Sequence, residues 1–129
     1  MRVLLDTHTF LWWNSSQGSR LSIRAREVLE DAATDGLFSV VSAYEIAMKA
    51  ARGSLELPAE PSRYVPDRLA RHGFEALAIE LRHVLRAGAL PFIHRDPFDR
   101  LLVAQAQLEN IPIVTADPAI AQYDVEVIW

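Results

Sequence analysis

The sequence predicts an α/β fold, a three-layer α/β/α sandwich around a central parallel sheet of about five strands. Short, continuously apolar runs such as Val3-Leu4-Leu5 recur along the chain, which is how strands covered on both faces read. Segments of helical periodicity separate those runs, as crossover connections between parallel strands require. A chain of 129 residues suits one domain, 1–129, with no linker or repeat to divide it.

The elements follow in order. Val3 to Leu5 is the first strand, and a short helix follows over Thr7 to Asn14. A second helix is expected from Ser22 to Ala33, with Leu21, Ala25, Val28, Leu29 and Ala32 on one face and charges outside it. Gly36 closes it, and Leu37 to Val41 is the next strand. Ser42 then opens a helix that Gly53 ends. Pro58, Pro61 and Pro66 mark a surface connection from Glu56 to Pro66, leading to a helix near Asp67 to Arg71. The third strand is expected at Ala76 to Ile79, followed by a helix from Leu81 to Gly88. Pro97 to Glu109 forms the next helix and Pro112 to Thr115 the fourth strand. A short helix from Pro118 and a strand over Val125 to Ile128 complete the sequence.

Composition narrows the chemistry. Half of the residues are apolar and 23% are charged, which excludes disorder. The absence of cysteine removes disulfides, thiolate metal sites and cysteine nucleophiles, and fits a reducing compartment. Asp6 interrupts the amino terminus before a signal-peptide core could develop, and no apolar run reaches membrane-spanning length. The expected location is the cytoplasm. Thirteen bases stand against seventeen acids, so overall charge gives no support for a nucleic-acid partner. All the bases but Lys49 are arginine, the residue suited to bidentate phosphate contacts.

Ligands of open α/β sheets sit beyond the carboxyl ends of the strands, and four acids fall there. Asp6 follows the first strand, Glu45 the second, Asp99 lies in the first turn of the Pro97 helix, and Asp117 follows the fourth strand. Asp96, just before Pro97, is a fifth. Each has an ordinary reading as a helix cap. Ser42-Ala43-Tyr44-Glu45 has the capping-box pattern, and Asp96-Pro97 and Asp117-Pro118 pair a cap with proline at the first helical position. Their joint occurrence argues for more. Converging carboxylates repel and raise one another's pKa unless a cation neutralises them. A helix dipole offsets only about 0.3–1 kcal/mol. Without cysteine and with few histidines, a hard cation with oxygen ligands, Mg²⁺ or Mn²⁺, is favoured over zinc. Setting those four acids aside leaves thirteen against thirteen, a neutral remainder around an acidic hole.

Four segments occur in a telling order: Leu4-Leu5-Asp6-Thr7-His8, Val41-Ser42-Ala43-Tyr44-Glu45-Ile46-Ala47, His94-Arg95-Asp96-Pro97-Phe98-Asp99-Arg100-Leu101-Leu102-Val103-Ala104, and Val114-Thr115-Ala116-Asp117. Together they resemble the PIN-domain ribonucleases, specifically the VapC-type toxins of bacterial toxin–antitoxin pairs. The resemblance runs through to Val127-Ile128-Trp129. It implies a magnesium- or manganese-dependent endoribonuclease, held inactive by a cognate antitoxin and paired as a homodimer. Asp6, Glu45, Asp99 and Asp117 match the family's acidic quartet, with Asp99 preferred to Asp96 by its Asp-x-x-Leu-Val-Ala frame. Asp96 is then either an N-cap or a secondary ligand.

Supporting roles are expected for Thr115, Thr7 and Ser42 at the carboxylates, with capping or strand propensity as the alternative. Arg100 is expected to hold a phosphate or, more simply, to pair with Asp96. Lys49 stands one turn beyond Glu45 and can pair with it. His8 and His94 are not needed as bases, because a metal-bound water oriented by a carboxylate suffices. Phe10, Trp12 and Trp13 are expected in the core or at a partner interface. A phosphoaspartate receiver would need paired acids after the first strand and a lysine after the last major one, and a haloacid-dehalogenase-type phosphatase would need Asp-x-Asp where Asp6-Thr7-His8 stands. A non-catalytic or regulatory module of the same fold is the remaining alternative.

Overall fold

Five parallel strands form one sheet in the order β3-β2-β1-β4-β5: β1 (Arg2–Leu5), β2 (Asp35–Ser39), β3 (Glu75–Leu77), β4 (Ile113–Val114) and β5 (Val127–Ile128). The computed structural model describes residues 1–129. Six helices connect the strands: α1 (Thr7–Trp13), α2 (Ile23–Glu30), α3 (Val40–Ala51), α4 (Pro61–His72), α5 (Leu81–Ala89) and α6 (Pro97–Glu109). Short 3-10 turns lie at Gly18–Arg20 and Ile120–Gln122.

Alternation along the strands builds two cores. Val3, Leu5, Phe38, Val114 and Ile128 point to one face, where they meet Phe10 of α1, Ala25 and Leu29 of α2, Ile46 of α3 and Tyr64 of α4. Leu4, Leu37 and Ile113 point to the other, against Leu102, Val103 and Ala106 of α6, with Leu90 and Ile120. The expected three layers are therefore present. The faces change because the chain steps outward from β1 to β3 and then returns to the far side of β1 as β4. Right-handed crossovers in opposite directions must cover opposite faces. The reversal lies between β1 and β4, which pair through Leu4 with Ile113 and Leu5 with Val114. The crevice of such a sheet opens beyond their carboxyl ends.

Several boundaries differ from the sequence reading, each for a local reason. Gly36 does not close a helix. It lies buried inside β2, where a Cβ would sit 2.5 Å from Cδ1 of Phe74, so glycine admits that ring against the strand. β2 consequently ends at Ser39, whose side chain accepts the Val41 N–H and caps α3. Ser42 is therefore an interior residue of α3, the Ser42–Glu45 capping box does not form, and Glu45 lies in the second turn. α4 begins at Pro61 and carries Pro66 inside it, so the proline-rich stretch is half helix. β3 is a short, largely exposed edge strand.

Candidate active site

Each acid at the crevice owes its position to a strand or helix end. Asp6 follows β1 and stands at the N-cap position of α1, yet its side chain makes no capping bond. It is buried, and its Oδ2 accepts a 2.7 Å hydrogen bond from Thr115 Oγ1, just past β4. The same Thr115 oxygen accepts the Asp117 N–H at 3.0 Å, so one hydroxyl ties together the two strand ends that flank the topological reversal. Asp117 Oδ1 accepts the Ala119 N–H at 2.9 Å.

Asp99 arrives from the opposite layer, as the third residue of α6. Asp96 is the cap of that helix, accepting the N–H groups of Phe98 (2.8 Å) and Asp99 (3.3 Å). That occupies Asp96 and leaves the Asp99 carboxylate free to face the crevice. Its Oδ2 lies 2.9 Å from His94 Nε2. Ligating atoms of His94, Asp99 and Asp117 all lie within 4.8 Å of one another. The sequence reading set His94 aside; its signal was position alone, five residues before Asp99 across a proline turn.

Electrostatics confirm the crowding. Burial, the nearby charges of Asp96 and Asp6, and that of Asp117 push the Asp99 carboxyl up to about 7, against the moderating bond from His94. Burial also raises Asp6, opposed chiefly by the Thr115 hydrogen bond and reinforced by Glu45. No lysine or arginine lies within ion-pair distance of Asp6, Asp99 or Asp117. Like charges without an internal counterion favour the neutral form.

Glu45 stands one step back. It is buried, Thr7 Oγ1 donates to its Oε1 at 2.8 Å, and the Ser42 oxygen lies 2.8 Å from that of Thr7. Lys49 Nζ reaches its Oε2 at 2.7 Å, the i,i+4 pair the spacing suggests. Thr7 and Thr115 thus bond carboxylates directly, while Ser42 reaches Glu45 only through Thr7. A groove of about 730 Å³ adjoins this side, lined by Thr7, His8, Trp12, Arg20, Lys49 and Arg52 among others.

Arg100 is a correction. It neither faces the crevice nor pairs with Asp96. It is buried, and its guanidinium donates to the carbonyls of Ala87 (2.8 Å), Leu90 (3.0 Å) and Pro91 (2.9 Å), tying the end of α5 to α6. A helix end leaves carbonyls without partners, and the planar fork satisfies them. The aromatic residues near the amino terminus are also largely enclosed: Phe10 is fully buried, and Trp12 packs against Trp129 with ring centroids 6.0 Å apart.

An α/β/α sheet with acids gathered at its topological reversal defines a class of acid-edged open α/β folds. The PIN-domain family model matches residues 3–126, and the chain belongs to the PIN-domain family. Ribonuclease VapC16 of Mycobacterium tuberculosis is 36% identical over 58 residues, 45% of this chain and 41% of that relative, so the match spans under half of the relative's length. Among solved structures, a toxin–antitoxin complex from Klebsiella pneumoniae aligns with TM-score 0.69 at 19% identity, covering 98% of this chain and 96% of that one. VapBC2 from Rickettsia felis, bound to a DNA fragment from its promoter, aligns with TM-score 0.67 at 15% identity, covering 98% and 97%. At these identities the structural likeness establishes the fold.

Proposed function

We propose that this chain is a metal-dependent endoribonuclease that hydrolyses RNA phosphodiester bonds and serves as the toxin of a toxin–antitoxin pair. The observation that carries the reading is the set of carboxylates, buried Asp6 and partly buried Asp99 and Asp117, converging without a lysine or arginine, with Asp99 raised to about 7. Such a set suits a hard divalent cation: the donors are oxygens, and their repulsion is relieved by positive charge. Asp6, Asp99 and Asp117 would hold Mg²⁺ or Mn²⁺, with Glu45 contributing through water. When bound, the ion would supply Lewis acidity toward a phosphoryl oxygen and lower the pKa of a bound water.

The chain's own residues do the rest. Thr115 orients Asp6 and the Asp117 loop. His94 Nε2 lies 2.9 Å from Asp99 Oδ2 and orients that carboxyl toward the crevice. Thr7 and Lys49 fix both oxygens of Glu45. Arg20 and Arg52 line the adjoining groove and supply positive charge for an RNA backbone.

A cognate antitoxin, a second copy of the chain and a cytoplasmic setting belong to the same reading; the relatives named above support the antitoxin. No helix is long and apolar enough to cross a membrane. For self-association, the support lies at α5 instead of the amino terminus. Leu81, Val84 and Leu85 are exposed there at helical spacing, and Phe92 and Ile93 are exposed just beyond.

The test is RNA cleavage by the purified protein. Mg²⁺ or Mn²⁺ should support it, EDTA should stop it, and Asp6→Asn and Asp99→Asn should each reduce turnover by about a hundredfold or more with the fold intact. Full activity in EDTA or in either variant would overturn the reading.

A further inference from the structure

Tyr44 and Phe98 meet across the junction of α3 and α6. Tyr44 immediately precedes Glu45 on α3, and Phe98 immediately precedes Asp99 on α6. The two helices belong to opposite layers, so this aromatic pair bridges the layers one residue in sequence from Glu45 and from Asp99. The ring centroids are 6.0 Å apart and the planes tilted by 49°. Phe98 is half-buried, while Tyr44 is 64% exposed. An aromatic residue this exposed leaves a large apolar face in water next to a polar site, where the fold gains little from it.

We propose that Tyr44, backed by Phe98, is a nucleobase-stacking subsite that holds a base flanking the scissile phosphate. The inference rests on the ribonuclease reading above. The geometry suits the task. Phe98 packs against Tyr44 from the α6 side and limits its freedom, while the open side of Tyr44 can receive a flat π-surface. Arg20, Lys49 and Arg52 line the groove beside Thr7, together with Trp12, while Tyr44 and Phe98 lie outside it at the α3–α6 junction. A single strand whose phosphates track the groove would cross the carboxylates and present a base to Tyr44. Stacking tolerates every base, so the subsite would fix the register of the strand without strict sequence choice. An unpaired base is required, which selects single-stranded or looped RNA over a duplex.

The experiment uses the full chain carrying Asp6→Asn, so that RNA is bound and not cut, and a fluorescently labelled single-stranded RNA decamer with Mg²⁺. Tyr44→Leu should weaken binding about tenfold or more, and Tyr44→Phe, which keeps the ring, should stay within about twofold. An abasic nucleotide is then moved along the decamer. At one position it should weaken the Asp6→Asn protein and leave the Tyr44→Leu double variant unaffected, because the stacked pair is already lost. Unchanged affinity in Tyr44→Leu, or additive losses at every abasic position, would overturn the subsite. So would a loss of affinity that tracks a loss of self-association in sedimentation, which would make Tyr44 a contact between copies. If the wild-type chain cleaves RNA and Tyr44→Leu binds normally, only the subsite falls. If the wild type neither binds nor cleaves RNA, the ribonuclease reading falls and the subsite with it.

Discussion

Thr115 and Asp6 lie 109 residues apart in sequence and share a 2.7 Å hydrogen bond at the carboxyl edge of the sheet. The pairing of β1 with β4 makes that contact possible, because it brings the ends of the two strands side by side. The hydroxyl does two things at once: it lowers the cost of charge on buried Asp6 and it anchors the Asp117 loop by accepting its N–H. Thr115→Val keeps the shape and removes both bonds. RNA cleavage should fall by about 10–100-fold, the usual cost of losing a group that orients a ligand, while circular dichroism stays unchanged. Thr115→Ser should restore most of it. Cleavage by Thr115→Val at the wild-type rate would show that Asp6 needs no such support.

The layers and the converging acids were legible because they rest on patterns of short range. Val3-Leu4-Leu5 needs only its own apolar run to read as a doubly covered strand. The residues that misled are those whose role depends on a distant partner. Gly36 looks like a helix terminator until Phe74 is seen beside it. Ser42 carries the pattern of a cap, but Ser39 takes that task one strand-end earlier, and Ser42 turns inward to Thr7. Arg100 stands next to Asp99 in sequence, yet a one-residue step on a helix rotates it by about 100°, into the carbonyls at the end of α5.

Arg100 therefore makes a prediction about stability. Arg100→Lys keeps the charge and loses the planar fork that bonds three backbone carbonyls. Those of Ala87 and Pro91 also accept the N–H groups of Leu90 and Ile93, whereas that of Leu90 has Arg100 alone. A buried acceptor left unpaired costs about 1–3 kcal/mol, so denaturant melts should show a loss of that size. Turnover per folded molecule should change little. A variant of normal stability with weakened RNA binding would return Arg100 to the phosphate-binding role first expected for it.

The exposed stripe of α5 predicts where copies meet. Leu81, Val84 and Leu85 recur at helical spacing on the outer side, whereas the inward side carries His83 and Ala87. Leu85→Glu should shift sedimentation toward monomer at micromolar concentration, and Trp12→Ala should not. Because Leu85 is 64% exposed, the change should cost the folded monomer within about 0.5 kcal/mol. A dimer that survives Leu85→Glu and Leu81→Glu together would place the contact elsewhere.

Asp99 offers the sharpest contrast between a site and a helix cap. Its unfolded pKa is about 3.9, and in the folded, metal-free protein it rises to about 7. Between those values the folded state holds a proton that the unfolded chain has released. The stabilisation is fully present below the unfolded value and is lost as pH rises through about 7. Each unit is worth about 1.36 kcal/mol, and because Asp99 is only partly buried, screening reduces the total to about 1–2 kcal/mol. Metal-free melting temperatures should thus fall from pH 5 to pH 8. Asp99→Asn cannot titrate, so it should remove that part of the pH dependence and leave the metal-free protein more stable than wild type at pH 8. Added Mg²⁺ should reverse the order, since binding at a hundred times Kd stabilises the wild type by about 2.7 kcal/mol and the variant by much less. A carboxylate acting only through the α6 dipole would have a depressed pKa, so it would finish titrating near the unfolded value and add no slope between pH 5 and pH 8. Melts of both proteins at pH 5 and pH 8, with EDTA and with Mg²⁺, separate the two. A wild type whose change from pH 5 to pH 8 in EDTA matches that of Asp99→Asn, with equal stabilisation of both by Mg²⁺, would make this acid a helix-end charge and remove it from the metal site.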